Sequence, residues 1–219
     1  MERRRRGDRP HRRRGLRGVR DRRLPLRGDP RRQPLDPRGG AGGPRPRDPG
    51  PHRVDVSVEL RVPIDADADA WTELFDDPVV MRYVGTGEVR DRGWYRGFVR
   101  RQQELAGSTG LCLCTVLVDG EVAGFAGIQP WAHPWGPTGE LEIGWRLGRR
   151  FWGRGTATAA ARLVLGRARE LRVRHVVALI HAENAASLAV AGKVGLGEEA
   201  VLRAPHGAPV LQYGATLAG

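Results

Sequence analysis

The run Arg150-Phe151-Trp152-Gly153-Arg154-Gly155, entered from the alternating segment Leu141–Leu147 and followed by Thr156 and an Ala/Arg/Leu stretch, places two glycines and several arginines between a strand and a helix. Such a junction suits an anion. A helix start offers free backbone N–H groups and the positive end of the helix dipole. Glycines let that backbone approach a phosphate closely. Three kinds of phosphate turn are worth testing. A Walker A loop needs Gly-Lys-Ser/Thr, and there is no Lys here. A dinucleotide fingerprint needs a third glycine where Thr158 stands. The pattern Arg/Gln-x-x-Gly-x-Gly/Ala is met in full by Arg150, Gly153 and Gly155. Arg149, Arg150 and Arg154 either face phosphates or form a solvated basic turn.

Candidate bases lie just upstream. In an extended strand Glu140, Glu142 and Gly144 share one face, opposite Leu141, Ile143 and Trp145. Burial of a carboxylate is costly unless it is paired. Glu142 is therefore either a general base or half of an ion pair with Arg146 or Arg154. His133 sits between Trp131 and Trp135 in the loop QPWAHPWGPTG. It is either an exposed loop histidine or a base facing the substrate, and the two tryptophans are expected to wall an acceptor pocket. Cys112 and Cys114, the only cysteines, fit neither a disulfide framework nor zinc spacing, and no metal is expected. They read as two small core residues on one strand face.

The elements that must position these groups follow from periodicity. Alternation predicts a strand from Val54 to Val62. A helix follows, with Asp65 or Asp67 as N-cap and Trp71, Leu74 and Phe75 on one face. A second helix spans 88–107, with Trp94, Phe98, Arg101 and Leu105 stepping along it. Asp119-Gly120 joins two apolar runs in a hairpin. A strand over 140–147, the glycine junction and a helix over 155–171 come next. The buried strand HVVALIH, the short helix AASLAVAGKVG and strands near 197–203 and 209–217 complete the order. The fold class is α/β (α+β), a mixed sheet with helices on both faces and one parallel pair across the glycine junction.

Charge is divided sharply. Residues 1–53 hold 19 arginines against six acids, whereas the remainder holds 18 bases against 19 acids. The Arg/Pro/Gly-rich segment 1–53 has almost nothing to bury and is expected to be disordered. A mis-assigned start is the other reading, since no Met separates Met1 from Met81. Residues 54–219 form the folded domain. Nucleic acid is not expected as a partner except through the tail, and no apolar run is long enough to span a bilayer. A cytoplasmic setting is expected.

From Val54 to Leu217 the chain resembles a GNAT-type N-acetyltransferase, of the branch similar to the ribosomal-protein alanine acetyltransferases. The resemblance rests on LEIGWRL, FWGRGTATAA and HAENAASLAVAGKVGL, in that order. It implies a mostly antiparallel sheet of about seven strands, splayed at its central parallel pair. It implies acetyl-CoA as co-substrate, with the strand carrying Ile143, Trp145 and Leu147 pairing with the pantetheine arm. The turn Arg150, Phe151, Trp152, Gly153, Arg154, Gly155 and Thr156 would cradle the pyrophosphate, and Asn184 and Ser187 would lie near the thioester. Glu142 is singled out as base, and with no Tyr at position 191 either Ser187 or water is left to protonate the departing thiolate. The chain departs from the family at Leu196, where a Phe often follows the glycine, and at Ala191, where many relatives carry a Tyr. The acceptor is expected to be a primary amine, on a small molecule or a protein N-terminus, and the assembly a monomer or homodimer. Two other functions stay open: a nucleic-acid-binding protein using the arginine arm, and an acyl-CoA sensor without chemistry.

Overall fold

The computed structural model describes residues 57–217. The arginine-rich segment, the nucleic-acid role tied to it and the expected start of the first strand at Val54 lie outside the described residues. The elements run β1 (Val58–Arg61), α1 (Asp67–Phe75), α2 (Pro78–Met81), α3 (Arg92–Thr109), β2 (Leu113–Val118), β3 (Glu121–Pro130), β4 (Leu141–Leu147), α4 (Thr156–Glu170), β5 (His175–His181), α5 (Ala185–Lys193), β6 (Gly197–Arg203) and β7 (Pro209–Thr216). Seven strands form one sheet in the order β1-β2-β3-β4-β5-β7-β6. Every neighbouring pair is antiparallel except β4–β5, as expected for strands joined by a crossover helix. No described helix is long and apolar enough to cross a membrane.

Two cores face the sheet from opposite sides. One packs Ala160, Ala161, Val164, Leu165 and Ala168 of α4 against Val116, Ile128, Ile143, Leu147, Val176 and Ala178. The other is aromatic. Trp71 and Phe75 of α1 and Tyr95 and Phe98 of α3 close over Phe125, with ring centroids 5.3–5.8 Å apart. The buried Trp71 indole donates to the Gly124 carbonyl at 3.2 Å, so the polar edge of the ring is satisfied.

Three local expectations are corrected. Helix α1 has Ala66 as its N-cap, with no side-chain cap. Asp67 instead turns inward: its carboxylate takes Arg61 in two bonds of 2.6 and 2.7 Å, the Thr115 hydroxyl at 2.6 Å and the Ile64 N–H at 2.8 Å. A buried carboxylate with four donors gains more from them than from capping its own helix. Helix α3 starts later than expected, because Asp91 caps it by accepting from the Trp94 N–H at 2.7 Å. Its buried stripe is Tyr95, Phe98, Val99 and Gln102, one residue round from the expected one, and Trp94 stays exposed. The short helix α2, absent from the periodicity reading, is fixed by the Asp77-Pro78 pair. Asp77 accepts from the Val79 N–H at 2.9 Å, and Pro78 occupies a first-turn position where no N–H is needed.

Burial pushes the Asp67 proton affinity up, but Arg61, Thr115 and Ile64 together outweigh it and hold the carboxyl below the usual carboxylate range. Its stabilising contribution is thus complete above about pH 4 and is lost as pH falls through the lower folded-state value. Asp67→Asn is expected to cost about 3 kcal/mol, the lower end for breaking a buried pair because Arg61 is partly exposed. Chemical denaturation at pH 7 and pH 3 checks this: the variant should lose less stability between the two than the wild type.

Candidate active site

The sheet opens at its centre. Strand β4 pairs with β3 along its whole length, from Gly124↔Leu147 to Pro130↔Leu141. With β5 it shares one register pair, Glu142↔Val177. A strand sends alternate N–H and C=O groups to either side. Past Glu142, the groups of β4 that face β5 therefore have no strand to bond. Leu147 is an exception, since its carbonyl accepts from the Trp152 indole at 2.8 Å. Backbone polar groups seldom stay unpaired in a protein interior, so an open strand edge of this kind suits an extended ligand.

The start of α4 faces the same opening. Gly153 and Gly155 have φ of 74° and 80°, which L side chains avoid, and a Cβ at either position would meet no atom within 4 Å. The glycines thus bend the chain while leaving open space in front of it. Gly155 is the N-cap and supplies no side-chain acceptor, so the first-turn N–H groups are uncapped. Beside them the Thr156 hydroxyl is buried with no hydrogen-bond partner. Unpaired N–H groups, an orphaned hydroxyl and the positive helix end together make a site for an anion.

A cavity of about 580 Å³ runs past both features. Of the residues singled out from the sequence, Trp145, Leu147, Phe151, Trp152, Gly153, Gly155, Thr156, Asn184 and Ser187 border it. The Asn184 side chain accepts from the Ser187 N–H at 3.1 Å and caps α5, which leaves its amide nitrogen to donate elsewhere. Ile143 does not border it, and its side chain is buried in the core on the α4 side. Arg150 does not border the cavity: its guanidinium is fastened to Glu121 of β3 and lies over the Phe151 ring. Arg154 is exposed. Trp131, His133 and Trp135 do not border the cavity either. The Trp131 indole donates to the Trp135 carbonyl at 2.5 Å, its ring packs on both neighbours, and this loop sits against Leu179 and Leu202. Sequence reading missed Val80 and Tyr83 at the cavity, and it named Arg146 only as a partner for Glu142, whereas Arg146 too borders the cavity. The Asp77-Pro78 pair was the available signal for the first two.

Glu142 is not on the cavity wall, and its environment is specific. Among the described residues it makes no ion pair with Arg146 or Arg154. Burial pushes its carboxyl up to about 7, opposed by hydrogen bonding from Gln129 and by the charge of Arg146. Gln129 stands directly across the ladder. Its orientation is set by a relay: the Leu113 N–H donates to Gln102 Oε1 at 2.8 Å, and Gln102 Nε2 donates to Gln129 Oε1 at 3.0 Å. A main-chain N–H can only donate, so the relay runs one way and turns the Gln129 amide nitrogen toward the carboxyl. Glu140, two residues earlier, is exposed and bound to His175 at 3.4 Å.

Comparison with known proteins agrees with this arrangement. Residues 57–197 match the acetyltransferase (GNAT) domain family. The uncharacterized protein YkkB of Bacillus subtilis (strain 168) is 33% identical over 150 residues, which cover 67% of this chain and 85% of that protein. Among solved structures, RimL, a ribosomal-protein alpha-N-acetyltransferase in complex with coenzyme A, superposes with a TM-score of 0.62 at 18% identity, covering 73% of this chain and 94% of RimL. The microcin self-immunity acetyltransferase MccE, in complex with acetyl-CoA and AMP, does so with 0.61 at 17%, covering 73% and 92%. At such identities the two structures speak for the fold. The family match spans well over half of the chain, and with it the seven-stranded sheet opened at one parallel pair identifies the protein as a member of the GNAT acetyltransferase family.

Proposed function

We propose that the protein transfers an acetyl group from acetyl-CoA to a primary amine by direct attack of the amine. The observation that carries this reading is the uncapped start of α4, with its orphaned Thr156 hydroxyl, placed beside the unpaired edge of β4. The coenzyme's chemistry fits both features. Its pyrophosphate needs N–H donors, and its pantetheine amides need a strand edge. The acetyl-CoA bound by MccE, a protein of the same fold, supports the assignment. When bound, the coenzyme supplies an activated thioester.

The chain's own groups account for the rest. The first-turn N–H groups and Thr156 would hold the pyrophosphate. A backbone N–H of β4 past Glu142 would stabilise the oxyanion. Glu142, with a carboxyl poised near 7, would take the ammonium proton through an intervening water, since it does not reach the cavity wall. Asn184 and Ser187 border the cavity from α5, and the Ser187 hydroxyl is the candidate to protonate the departing thiolate. Holding both reactants in the opening contributes much of the rate. RimL, of the same fold, acts on a protein α-amine, which supports a protein N-terminus as one acceptor class and the ribosomal-protein branch as a kinship.

Gly155→Val is expected to weaken acetyl-CoA binding about tenfold or more, because it strains a positive-φ position and fills the approach to the cradle. Thr156→Val should weaken binding as well while leaving the melting temperature unchanged or higher, since the free protein loses only an unsatisfied hydroxyl. Calorimetry and thermal melts on the same preparations check both. Glu142→Gln should lower kcat about 10²–10⁴-fold with coenzyme affinity retained. The wild type should gain activity as pH rises through about 7, where the carboxyl deprotonates, and the variant should lose that limb. An unchanged kcat with a lowered melting temperature would make Glu142 a structural residue.

A further inference from the structure

The acceptor side of the cavity contains a cation without a counter-ion. Arg146 stands on the same face of β4 as Glu142 and Gly144. Its guanidinium lies over the Phe75 and Phe125 rings, 5.3 and 5.0 Å from their centroids. Those rings belong to the aromatic core, so the Arg146 side chain lies on the face of the sheet opposite the core that α4 packs against. Among the described residues no carboxylate comes within ion-pair distance of it. Next to it lies the buried Tyr95 hydroxyl, a neutral group that faces the guanidinium without neutralising its charge. Arg61, by contrast, is closed by Asp67 in two bonds. An enclosed guanidinium stacked on aromatic rings is held in one orientation, and leaving it unpaired is costly. Arg146 also borders the cavity, so a ligand can reach it.

We propose that Arg146 anchors a carboxylate of the acceptor, so that the substrate is an amine bearing a carboxylate a few bonds away, as in an amino acid. This rests on the transferase reading above. The face of β4 then carries the two complementary groups that such a molecule needs. Glu142 attracts the ammonium and Arg146 grips the carboxylate. Gly144 between them leaves the strand surface bare, for a Cβ there would touch only Leu113, at 3.9 Å. The planar fork of a guanidinium matches a carboxylate in two parallel bonds. Arg82 at the rim, over the Tyr83 ring, adds positive charge and disfavours polycationic amines. The coenzyme's own phosphates are the other source of an anion, and the uncapped start of α4 on the same cavity already offers them donors.

The test is acetyl-CoA turnover with matched acceptors: free amino acids, their α-amides, and the corresponding amines without the carboxylate. Wild type should prefer the free acids by about a hundredfold or more in kcat/KM, as expected of a site built around a polar group. Arg146→Met should erase that preference through KM, keep acetyl-CoA affinity by calorimetry, and leave the melting temperature unchanged or higher. Arg146→Lys should restore only part of the preference. Equal use of acids and amides by the wild type overturns the proposal. So does a loss of acetyl-CoA affinity in Arg146→Met, which would give the guanidinium to a coenzyme phosphate, and so does a large fall in its melting temperature. If acetyl-CoA binds but no amine is acetylated, the transferase reading fails. The carboxylate site is then judged by thermal melts of the coenzyme-A-bound protein with free amino acids: stabilisation of wild type but not of Arg146→Met supports it, and its absence overturns it.

Discussion

A single bridge, Glu142 to Val177, joins β4 to β5, and the rest of the site depends on where it stops. Had the parallel ladder continued, β5 would have consumed the hydrogen bonds of β4. Because it ends at Glu142, the edge of β4 is open along the residues that run toward the glycine turn. The crossover helix α4 packs on the β4 side of the opening and starts at its mouth, which brings the helix dipole to the same place. Strand edge and helix end are thus two results of one interruption.

The polar groups divide by how completely they are satisfied. The Asp67 cluster is finished, with every oxygen bonded to Arg61, Thr115 or Ile64, and it ties β1, β2 and α1 together. The Gln102–Gln129 relay, anchored on the Leu113 N–H, leads toward Glu142, which stands across the ladder from Gln129. Thr156, whose hydroxyl is buried and unpartnered, is not finished, and Arg146 lacks a counter-ion among the described residues. Arg146 and Thr156 border the cavity, and Tyr95 lies against Arg146. A folded chain tolerates unmatched polar groups where a ligand completes them.

Much of this was legible in the sequence. The junction Gly153–Gly155 could be read because a left-handed backbone before a helix nearly demands glycine. All seven strands could be read because alternation and Asp119-Gly120 mark them, and the turn does adopt left-handed angles at both residues. What escaped depends on three-dimensional neighbours. Asp67 looks like a cap until Arg61 and Thr115 fold against it. The buried stripe of α3 lies one residue from the expected one, because Trp94 stacks on Phe98 from outside the core. Glu142 and Arg146 look like an ion pair at strand spacing, yet the aromatic rings draw the guanidinium away. Trp131, His133 and Trp135 suggest a pocket by composition, but their loop closes on itself.

The opened sheet also has a mechanical meaning. It is two plates, β1–β4 and β5–β7, stitched by one backbone bridge and glued by the side chains around α4. Such a joint is compliant in the direction that widens the gap, whereas each plate is stiffened by full ladders. A ligand lying in the gap and bonded to its edge would act as a second stitch, so occupancy would change the rigidity of the whole sheet and not merely that of the loops around the site.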